Sequence, residues 1–155
     1  MHLKNKTILI TGGTGSFGYS CVKEILLNHK PKKLIIFSRD EQKHYDMSQI
    51  FNEKDYPILR YFIGDVRDRN RVIRACANVD IIIHAAAIKH VSLAEYNPTE
   101  CIATNIQGAQ NIIDAAILNN VEKVMAISTD KAANPINLYV PKSTFITHMI
   151  SFIII

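Results

Sequence analysis

The amino-acid sequence predicts an α/β fold in which helices cover both faces of a parallel sheet. Short apolar runs rich in β-branched residues recur along the chain and have the length of buried strands; they lie at 7–10, 34–37, 61–63, 81–83 and 124–127. Segments of helical composition separate them, at 19–29, 41–52, 68–77 and 98–119. Strands that alternate with helices imply right-handed crossovers, so we expect about five strands in one doubly wound parallel sheet.

Local signals support the order of these elements. The first strand runs into a glycine-rich turn at 11–18, and the helix after it places Val22 and Ile25 at helical spacing. A Pro-Lys-Lys turn precedes the second strand, and Gly64 ends the third. Asn97-Pro98 predicts the start of the last helix. We find no internal repeat and no linker, which indicates a single folded unit.

Length and composition exclude several classes of protein. The chain has 155 residues, of which 48% are apolar and 21% charged, values that fit one globular domain and disfavour disorder or a disulfide-stapled miniprotein. The longest charge-free apolar stretch, 145–155, is too short to span a bilayer. The first residues lack the apolar region of a signal peptide. We therefore expect no membrane span and a cytoplasmic location.

The cysteine and histidine residues predict neither disulfides nor a metal site. The three cysteines are odd in number, far apart and without a CxxC spacing, which favours reduced, buried thiols: Cys21, Cys76 and Cys101. Three histidines lack metal-ligand spacing to nearby cysteines or acids: His84, His90 and His148.

The charge balance favours a small anionic ligand over nucleic acid. The net charge is +4, from 18 basic and 14 acidic residues. Four arginines cluster around one predicted helix, but Asp65 and Asp68 interrupt them and no aromatic residues interleave: Arg67, Arg69, Arg71 and Arg74. We interpret this cluster as a solvated face.

A nucleotide site is predicted in the turn after the first strand. Gly12, Gly15 and Gly18 lie between that strand and the first helix. Glycines at this spacing permit a tight turn, close approach of the backbone to a pyrophosphate and close packing of helix on strand. The helix N-terminus then offers its amides to the anion.

The end of the second strand indicates which dinucleotide binds. It reads Ser38-Arg39-Asp40. A lone acidic residue there favours the ribose 2′-hydroxyl of NAD, whereas an arginine and a serine can hold a 2′-phosphate. NADP is therefore preferred over NAD; the alternative is that Arg39 is only a surface residue.

Several sequence motifs, taken together, resemble those of a known family. The glycine spacing is typical of extended short-chain dehydrogenase/reductases, and three further stretches narrow the likeness: Gly-Asp-Val-Arg-Asp at 64–68, His-Ala-Ala-Ala-Ile-Lys-His-Val at 84–91, and Ser-Thr-Asp-Lys-Ala-Ala-Asn-Pro-Ile-Asn-Leu-Tyr at 128–139. Together they resemble the inverting UDP-N-acetylglucosamine 4,6-dehydratases of bacterial surface-sugar pathways, the type that begins pseudaminic acid synthesis for flagellin glycosylation. The resemblance implies an NAD(P)-binding Rossmann fold.

The resemblance also assigns residues to the cofactor. It implies that 14–17 contact the phosphates, that the segment 38–40 with Lys43 meets the 2′-phosphate end, that 65–66 meet the adenine, and that Ala86 and Lys89 line the nicotinamide side. With the glycines, the predicted cofactor residues are Gly12, Thr14, Gly15, Ser16, Phe17, Gly18, Ser38, Arg39, Asp40, Lys43, Asp65, Val66, Ala86 and Lys89. A further set on the last helix, Thr104, Asn105, Gly108 and Asn111, is expected to support this side of the sheet.

The implied reaction is oxidation of a UDP-sugar at C4, loss of water across C5 and C6, and return of hydride to C6 with inversion at C5. A 4-ketone acidifies the C5 proton, so the elimination needs a base and a proton donor. By resemblance Lys131 is the base and Asp130 the acid, while Thr129 bonds the C4 oxygen and Tyr139 helps remove its proton. The implied substrate is UDP-N-acetylglucosamine or a similar UDP-sugar, and full-length relatives are expected to form homo-oligomers.

The sequence departs from the family after Tyr139. Position 143 is serine where the family has lysine, and whether Lys142 replaces that lysine stays open. We therefore divide the chain into a cofactor domain at 1–139 and a divergent apolar tail at 140–155, with the family's substrate lobe missing; a reading-frame change is one hypothesis for this break. Two alternatives to a dehydratase remain, an inactive NADP-binding remnant and a related UDP-sugar 4-epimerase.

Overall fold

The computed structural model describes residues 3–127 and contains the predicted parallel sheet. Its five strands are β1 (Thr7–Thr11), β2 (Lys33–Ser38), β3 (Leu59–Ile63), β4 (Ile81–His84) and β5 (Lys123–Ala126). They lie in the order β3-β2-β1-β4-β5, and every adjacent pair is parallel. The α/β class, the strand number and the parallel topology predicted from the sequence are confirmed.

The helices follow the predicted order with two differences in detail. They are α1 (Ser16–Asn28), α2 (Glu41–Ile50), α3 (Arg69–Ala75), α4 (Val91–Tyr96), α5 (Pro98–Ile102) and α6 (Gly108–Leu118). The short helix α4 was not predicted. The segment predicted as one helix is divided by a π-helical turn, Ala103–Gln107, between α5 and α6. Pro98 stands at the first turn of α5, where its missing N–H costs nothing.

Two separate cores show that the sheet is covered on both faces. Along β1, Ile8 and Ile10 face one core, which also contains residues of α1 and α2 such as Val22 and Met47. Leu9 points to the opposite face, into a core built with α3 and α6. This alternation follows from the two-residue period of a strand. It also explains why these strands are almost continuously apolar, since both of their faces are buried.

The strand order places a crevice at the centre of the sheet. From β1 the chain winds outward to β2 and β3, then crosses back to add β4 and β5 on the other side. The loops that follow β1 and β4 therefore diverge to opposite faces. In open α/β sheets, ligands bind at this point, beyond the carboxyl ends of the strands.

The three cysteines differ in their burial. Cys76 and Cys101 are buried, as predicted, whereas Cys21 is only half-buried. Burial raises the pKa of the Cys76 thiol to about 12. Within residues 3–127, no helix has the length and apolar character needed to cross a bilayer.

Candidate functional site

A cavity of about 400 Å³ lies at the crevice between the first and fourth strands. This volume is in the range of small-molecule and cofactor sites. Every predicted cofactor residue except Asp65 lines it, namely Gly12, Thr14, Gly15, Ser16, Phe17, Gly18, Ser38, Arg39, Asp40, Lys43, Val66, Ala86 and Lys89. Its other lining residues are Phe37, Gly64, Ala85, Ala87 and Thr104. The structure thus gathers residues from four loops into one site.

The glycine turn has the geometry that a bound phosphate needs. Gly12 has a φ of 65°, and a Cβ there would lie 2.9 Å from the backbone nitrogen of Ala86. At Gly18, a Cβ would overlap the backbone of Gly13, so only glycine lets α1 pack this closely on the turn. At Gly15, by contrast, a Cβ would meet only the carbonyl oxygen of Gly12 within 4 Å, at 3.2 Å. The space beside Gly15 opens into the cavity in front of the N-terminus of α1, whose amides favour an anion.

A chain of hydrogen bonds connects the first loop, the second strand and α2. The hydroxyl oxygens of Thr14 and Ser38 are 2.8 Å apart. Nε2 of His44 lies 3.0 Å from the Ser38 hydroxyl and 3.2 Å from the Ser38 carbonyl oxygen. His44 is buried and its ring meets Tyr61 edge-on. The sequence did not identify His44, because a histidine on a polar helix carries no signal of what its buried ring contacts.

Positive charge lies at the end of the cavity beside β2. The Arg39 guanidinium is 3.8 Å from Asp65, longer than a hydrogen bond, and its side chain is 53% exposed. Arg67 binds the Asp65 carboxylate at 2.8 Å through Nε and at 2.7 Å through a terminal nitrogen, and it also pairs with Glu100. Partial burial opposes the ionised form of Asp65, but the hydrogen bonds from Arg67 and the charges of Arg67 and Arg39 outweigh it and hold the pKa of Asp65 below its ordinary value.

Asp40 has a structural role that the sequence did not reveal. It is the N-cap of α2, and its side chain accepts a hydrogen bond of 3.0 Å from the backbone nitrogen of Lys43. Its second carboxylate oxygen is 3.8 Å from the Lys43 ammonium. Although Asp40 lines the cavity, its carboxylate is thus already used in capping, so an acidic residue at this position does not by itself indicate NAD.

A buried pair beneath the cavity shapes the loop after β4. The Thr11 hydroxyl oxygen accepts hydrogen bonds from the backbone nitrogens of Ala85 and Ala86, at 3.2 and 3.3 Å. The hydroxyl proton of Thr11 is therefore directed at Nδ1 of His84, 2.7 Å away, and this nitrogen carries no proton of its own. Burial lowers the pKa of His84 to about 4. This pair holds Ala86 at the edge of the cavity.

Two asparagines hold the backbone around the site, as the resemblance implied. Asn105 accepts a hydrogen bond of 2.8 Å from the backbone nitrogen of Ile88 and donates one of 3.0 Å to its carbonyl oxygen. Asn111 donates to the carbonyl oxygens of Val66 and Arg67, at 2.9 and 3.1 Å. The segment 85–88 and the loop after β3 are thus both fixed from the helical segment behind them.

Two buried polar atoms have no hydrogen-bond partner among the described residues, Nδ1 of His44 and the Thr104 hydroxyl. Thr104 lines the cavity, so a bound ligand could supply the partner that its hydroxyl needs. Within residues 3–127, no group of three or more His, Cys, Asp or Glu side chains is placed to hold a metal ion.

The predicted catalytic residues lie outside the described part of the chain. These are Thr129, Asp130, Lys131 and Tyr139, together with Lys142 and the predicted boundary at residue 139. They stay predictions. The last described strand, β5, ends at Ala126 and is adjacent to β4 in the sheet.

Comparison with known proteins gives the family. The sequence model of a family described as "Polysaccharide biosynthesis protein" matches residues 8–150. The chain belongs to this polysaccharide biosynthesis family. It is 61% identical over 134 residues to a UDP-N-acetylglucosamine 4,6-dehydratase (inverting) of Campylobacter jejuni subsp. jejuni serotype O:2, a match that covers 86% of this chain and 39% of the relative.

Epimerases also appear among the relatives of this polysaccharide biosynthesis chain. A UDP-glucose 4-epimerase of Rickettsia bellii is 48% identical over 136 residues, which cover 86% of this chain and 39% of that protein. The chain spans about two fifths of the length of these curated relatives.

Solved structures confirm the fold. The crystal structure of Pen from Bacillus thuringiensis superposes with a TM-score of 0.92 at 41% identity, covering 98% of this chain and 46% of that one. A UDP-glucose 4-epimerase from Bifidobacterium longum, solved with NAD⁺ and UDP, superposes with a TM-score of 0.78 at 21% identity over 95% of this chain and 48% of that one. The latter likeness shows the fold alone.

Proposed function

We propose that this chain binds NADP in the cavity and forms the cofactor-binding part of an inverting UDP-N-acetylglucosamine 4,6-dehydratase. The observation that carries the cofactor assignment is the cavity itself: it gathers the glycine turn and the Ser38-Arg39 pair at the crevice of a doubly wound sheet. The dehydratase assignment rests on the 61% identity to the Campylobacter jejuni enzyme.

The residues of the cavity fit a dinucleotide from end to end. The open space beside Gly15, at the N-terminus of α1, suits the pyrophosphate. Arg39, Ser38 and Lys43 supply donors and positive charge for a 2′-phosphate. At the opposite end, Ala86 and Lys89 lie beside β4 and would face the nicotinamide.

NADP is favoured over NAD because of the residues at and after the end of β2. Ser38 occupies the last position of that strand, where a carboxylate would bind a ribose 2′-hydroxyl in an NAD site. Asp40 is occupied as the cap of α2, and Asp65 is bound by Arg67. The arrangement therefore offers the 2′ position hydrogen-bond donors. The NAD⁺ bound to the Bifidobacterium longum epimerase keeps NAD as the alternative to be tested.

When bound, NADP⁺ would supply the hydride acceptor for C4 of the sugar and, once reduced, the hydride for C6, with a proton delivered to C5 to complete that addition. Lys131 would take the C5 proton, and Asp130 would give a proton to the departing 6-hydroxyl. Thr129 would bond the C4 oxygen and Tyr139 would accept its proton. The segment 85–88, held by Asn105 and by Thr11, would form the wall against which the reacting ring is positioned.

The test has a binding arm and a turnover arm. Titration of the purified chain with NADPH and NADH, followed by fluorescence, should show tighter binding of NADPH; no binding of either would refute the cofactor site. For turnover, residues 1–139 replace the matching segment of the Campylobacter jejuni dehydratase, and the hybrid receives UDP-N-acetylglucosamine and NADP⁺. A 4-keto-6-deoxy sugar is expected, and Lys131→Ala should abolish it.

A UDP-sugar 4-epimerase is the second candidate, and the 48% identity to the Rickettsia bellii protein favours it. The same turnover experiment separates the two functions. An epimerase would release the C4 epimer without loss of water, whereas a dehydratase releases a product lacking the 6-hydroxyl. A folded hybrid that binds NADPH and yields neither product would refute both assignments.

A further inference from the structure

We propose that His44 is a positioning residue that makes the Thr14–Ser38 hydroxyl pair a hydrogen-bond donor toward the cavity, and thereby favours a cofactor with a 2′-phosphate. The inference rests on the proposed function, because it concerns how the same cavity selects its dinucleotide. It goes beyond the lining residues, since His44 lies behind Ser38, on the buried side of α2.

The protonation of His44 follows from its partners. Nε2 lies 3.2 Å from the Ser38 carbonyl oxygen, which can only accept a hydrogen bond. Nε2 therefore carries the proton, and Nδ1 carries a lone pair in the neutral ring. Nδ1 is buried and has no partner among the described residues, an arrangement that costs less for a lone pair than for an unpaired N–H.

The number of protons in this chain of hydrogen bonds decides whether the Thr14–Ser38 pair donates or accepts toward the cavity. Ser38 Oγ is 3.0 Å from His44 Nε2, so it accepts from Nε2, whose single N–H is shared between this oxygen and the Ser38 carbonyl oxygen. The Thr14 and Ser38 hydroxyls, 2.8 Å apart, use one of their two protons between them. One hydroxyl proton therefore remains, and both residues line the cavity. Were Nε2 an acceptor, both protons would be used and the pair would present only lone pairs.

This polarity matters because the two cofactors differ at the 2′ position. A phosphate oxygen only accepts hydrogen bonds, so it requires donors, whereas a hydroxyl can either donate or accept. A donor held in place by His44 therefore adds to the contribution of Arg39 for a 2′-phosphate. The same donor adds little to the affinity for a cofactor with a 2′-hydroxyl, because that hydroxyl can pair with a donor or with an acceptor.

The experiment compares NADPH and NADH binding in the full chain and four variants: His44→Phe, His44→Gln, Ser38→Ala and the double variant Ser38→Ala/His44→Phe. Phenylalanine fills the space without an N–H, so the Ser38 hydroxyl is no longer held as an acceptor on that side and the free proton of the pair is no longer directed at the cavity. NADPH binding should therefore weaken about 2- to 10-fold, the range for one neutral hydrogen bond, while NADH binding changes by less than about twofold. Glutamine can donate to the same carbonyl oxygen and should restore NADPH binding. In the Ser38→Ala background, His44→Phe should have no further effect.

The contrary results separate this inference from the proposed function. Equal losses for NADPH and NADH, or losses that add in the double variant, would show that His44 acts only through packing and would overturn the inference alone. A wild-type chain that binds neither dinucleotide would overturn the proposed function and the inference with it. The matched control is His29→Phe, a partly exposed histidine at the end of α1 outside the cavity.

A measurement on the unmodified protein covers the case in which His44→Phe fails to fold. Nitrogen NMR of the labelled imidazole distinguishes a protonated Nε2 from a protonated Nδ1. The inference expects the proton of His44 on Nε2 at neutral pH. A proton on Nδ1 would make Ser38 the donor to His44, and would refute it.

Discussion

Replacement of Arg39 by alanine tests the cofactor assignment most directly. Arg39 lines the cavity at the end of β2, and its side chain is 53% exposed. Removing the guanidinium leaves the glycine turn and the core unchanged, because none of the hydrogen bonds that fix the loops of the described chain uses Arg39. The change therefore isolates the interaction with a 2′-phosphate from the rest of the site.

The expected size of the effect follows from the two interactions of Arg39. Its ion pair with Asp65 is long, at 3.8 Å, and exposed, so its loss should change the free energy of unfolding by about 0–1 kcal/mol. A hydrogen bond to a charged group contributes about 1.5–3 kcal/mol. Arg39→Ala should therefore raise the Kd for NADPH about 10- to 150-fold and leave that for NADH within about twofold.

The assay is a fluorescence titration of the wild type and Arg39→Ala with both reduced dinucleotides at one fixed salt concentration. Arg74→Ala is the matched control, since Arg74 is an exposed arginine in the last turn of α3 and does not line the cavity. It should leave both dissociation constants unchanged. Equal weakening of NADPH and NADH by Arg39→Ala would refute the assignment of Arg39 to the 2′-phosphate.

Three further predictions concern glycine packing, helix capping and pH. Gly18→Ala should lower the free energy of unfolding by about 1–3 kcal/mol, because its Cβ would overlap the Gly13 backbone. Gly15→Ala should keep the stability of the wild type and lose NADPH binding. Stability is measured by urea unfolding and binding by the same titration; equal destabilisation of the two variants would contradict the prediction. Asp40→Ala should lower the free energy of unfolding by about 0.5–2 kcal/mol, because the α2 cap is lost, and Asp40→Asn should retain most of the capping. Both variants should bind NADPH no more weakly than the wild type does. A loss of binding would place Asp40 in the cofactor site. The pKa of His84 is about 4 in the folded chain against an ordinary 6.5, so the unfolded chain binds a proton at a higher pH than the folded chain does. The free energy of unfolding should therefore fall by about 3 kcal/mol as the pH is lowered from 6.5 to 4. His84→Asn, whose side-chain oxygen can accept the same bond from Thr11, should flatten that part of the pH profile in urea unfolding; an unchanged profile would contradict the buried neutral imidazole.

The sheet and the glycine turn could be predicted because their determinants are local in sequence. Strands buried on both faces need continuous apolar runs, and the segment 81–83 consists only of isoleucine. The positive φ of Gly12 and the close packing of Gly18 each demand a residue without a Cβ, so their spacing is visible in the sequence. The end of β2, Ser38-Arg39, was also visible from the sequence, whereas the other lining residues, such as Ala86 and Lys89, were expected from the family resemblance.

The parts that were not predicted depend on contacts between distant residues. His44 reaches the cavity only through Ser38, six positions earlier, across the loop that begins α2. The π-helical turn Ala103–Gln107 has no composition that distinguishes it from an α-helix, and Asn105 within it is placed by its bonds to Ile88. The bond between Arg67 and the Asp65 carboxylate was not predicted either, because spacing alone does not distinguish such a pairing from solvent exposure. The expected contact of Asp65 with the adenine stays a prediction.

The arginine cluster after β3 shows how such pairings bear on the cofactor site. The sequence suggested a solvated face, and Arg69 and Arg74 are exposed. On this face Arg67 joins Asp65 to Glu100, and Arg69 pairs with Asp114. Arg71 stacks on Phe62 at 3.8 Å and donates to the Ile63 carbonyl oxygen.

These interactions fix the loop after β3 against the helices behind it. They also have an electrostatic consequence at the cavity. Because Arg67 takes the short bonds to the Asp65 carboxylate, Arg39 is left at 3.8 Å, without a hydrogen bond to that carboxylate. A phosphate bound at this point would therefore meet a guanidinium whose donors are still available, beside a carboxylate whose charge another arginine already compensates.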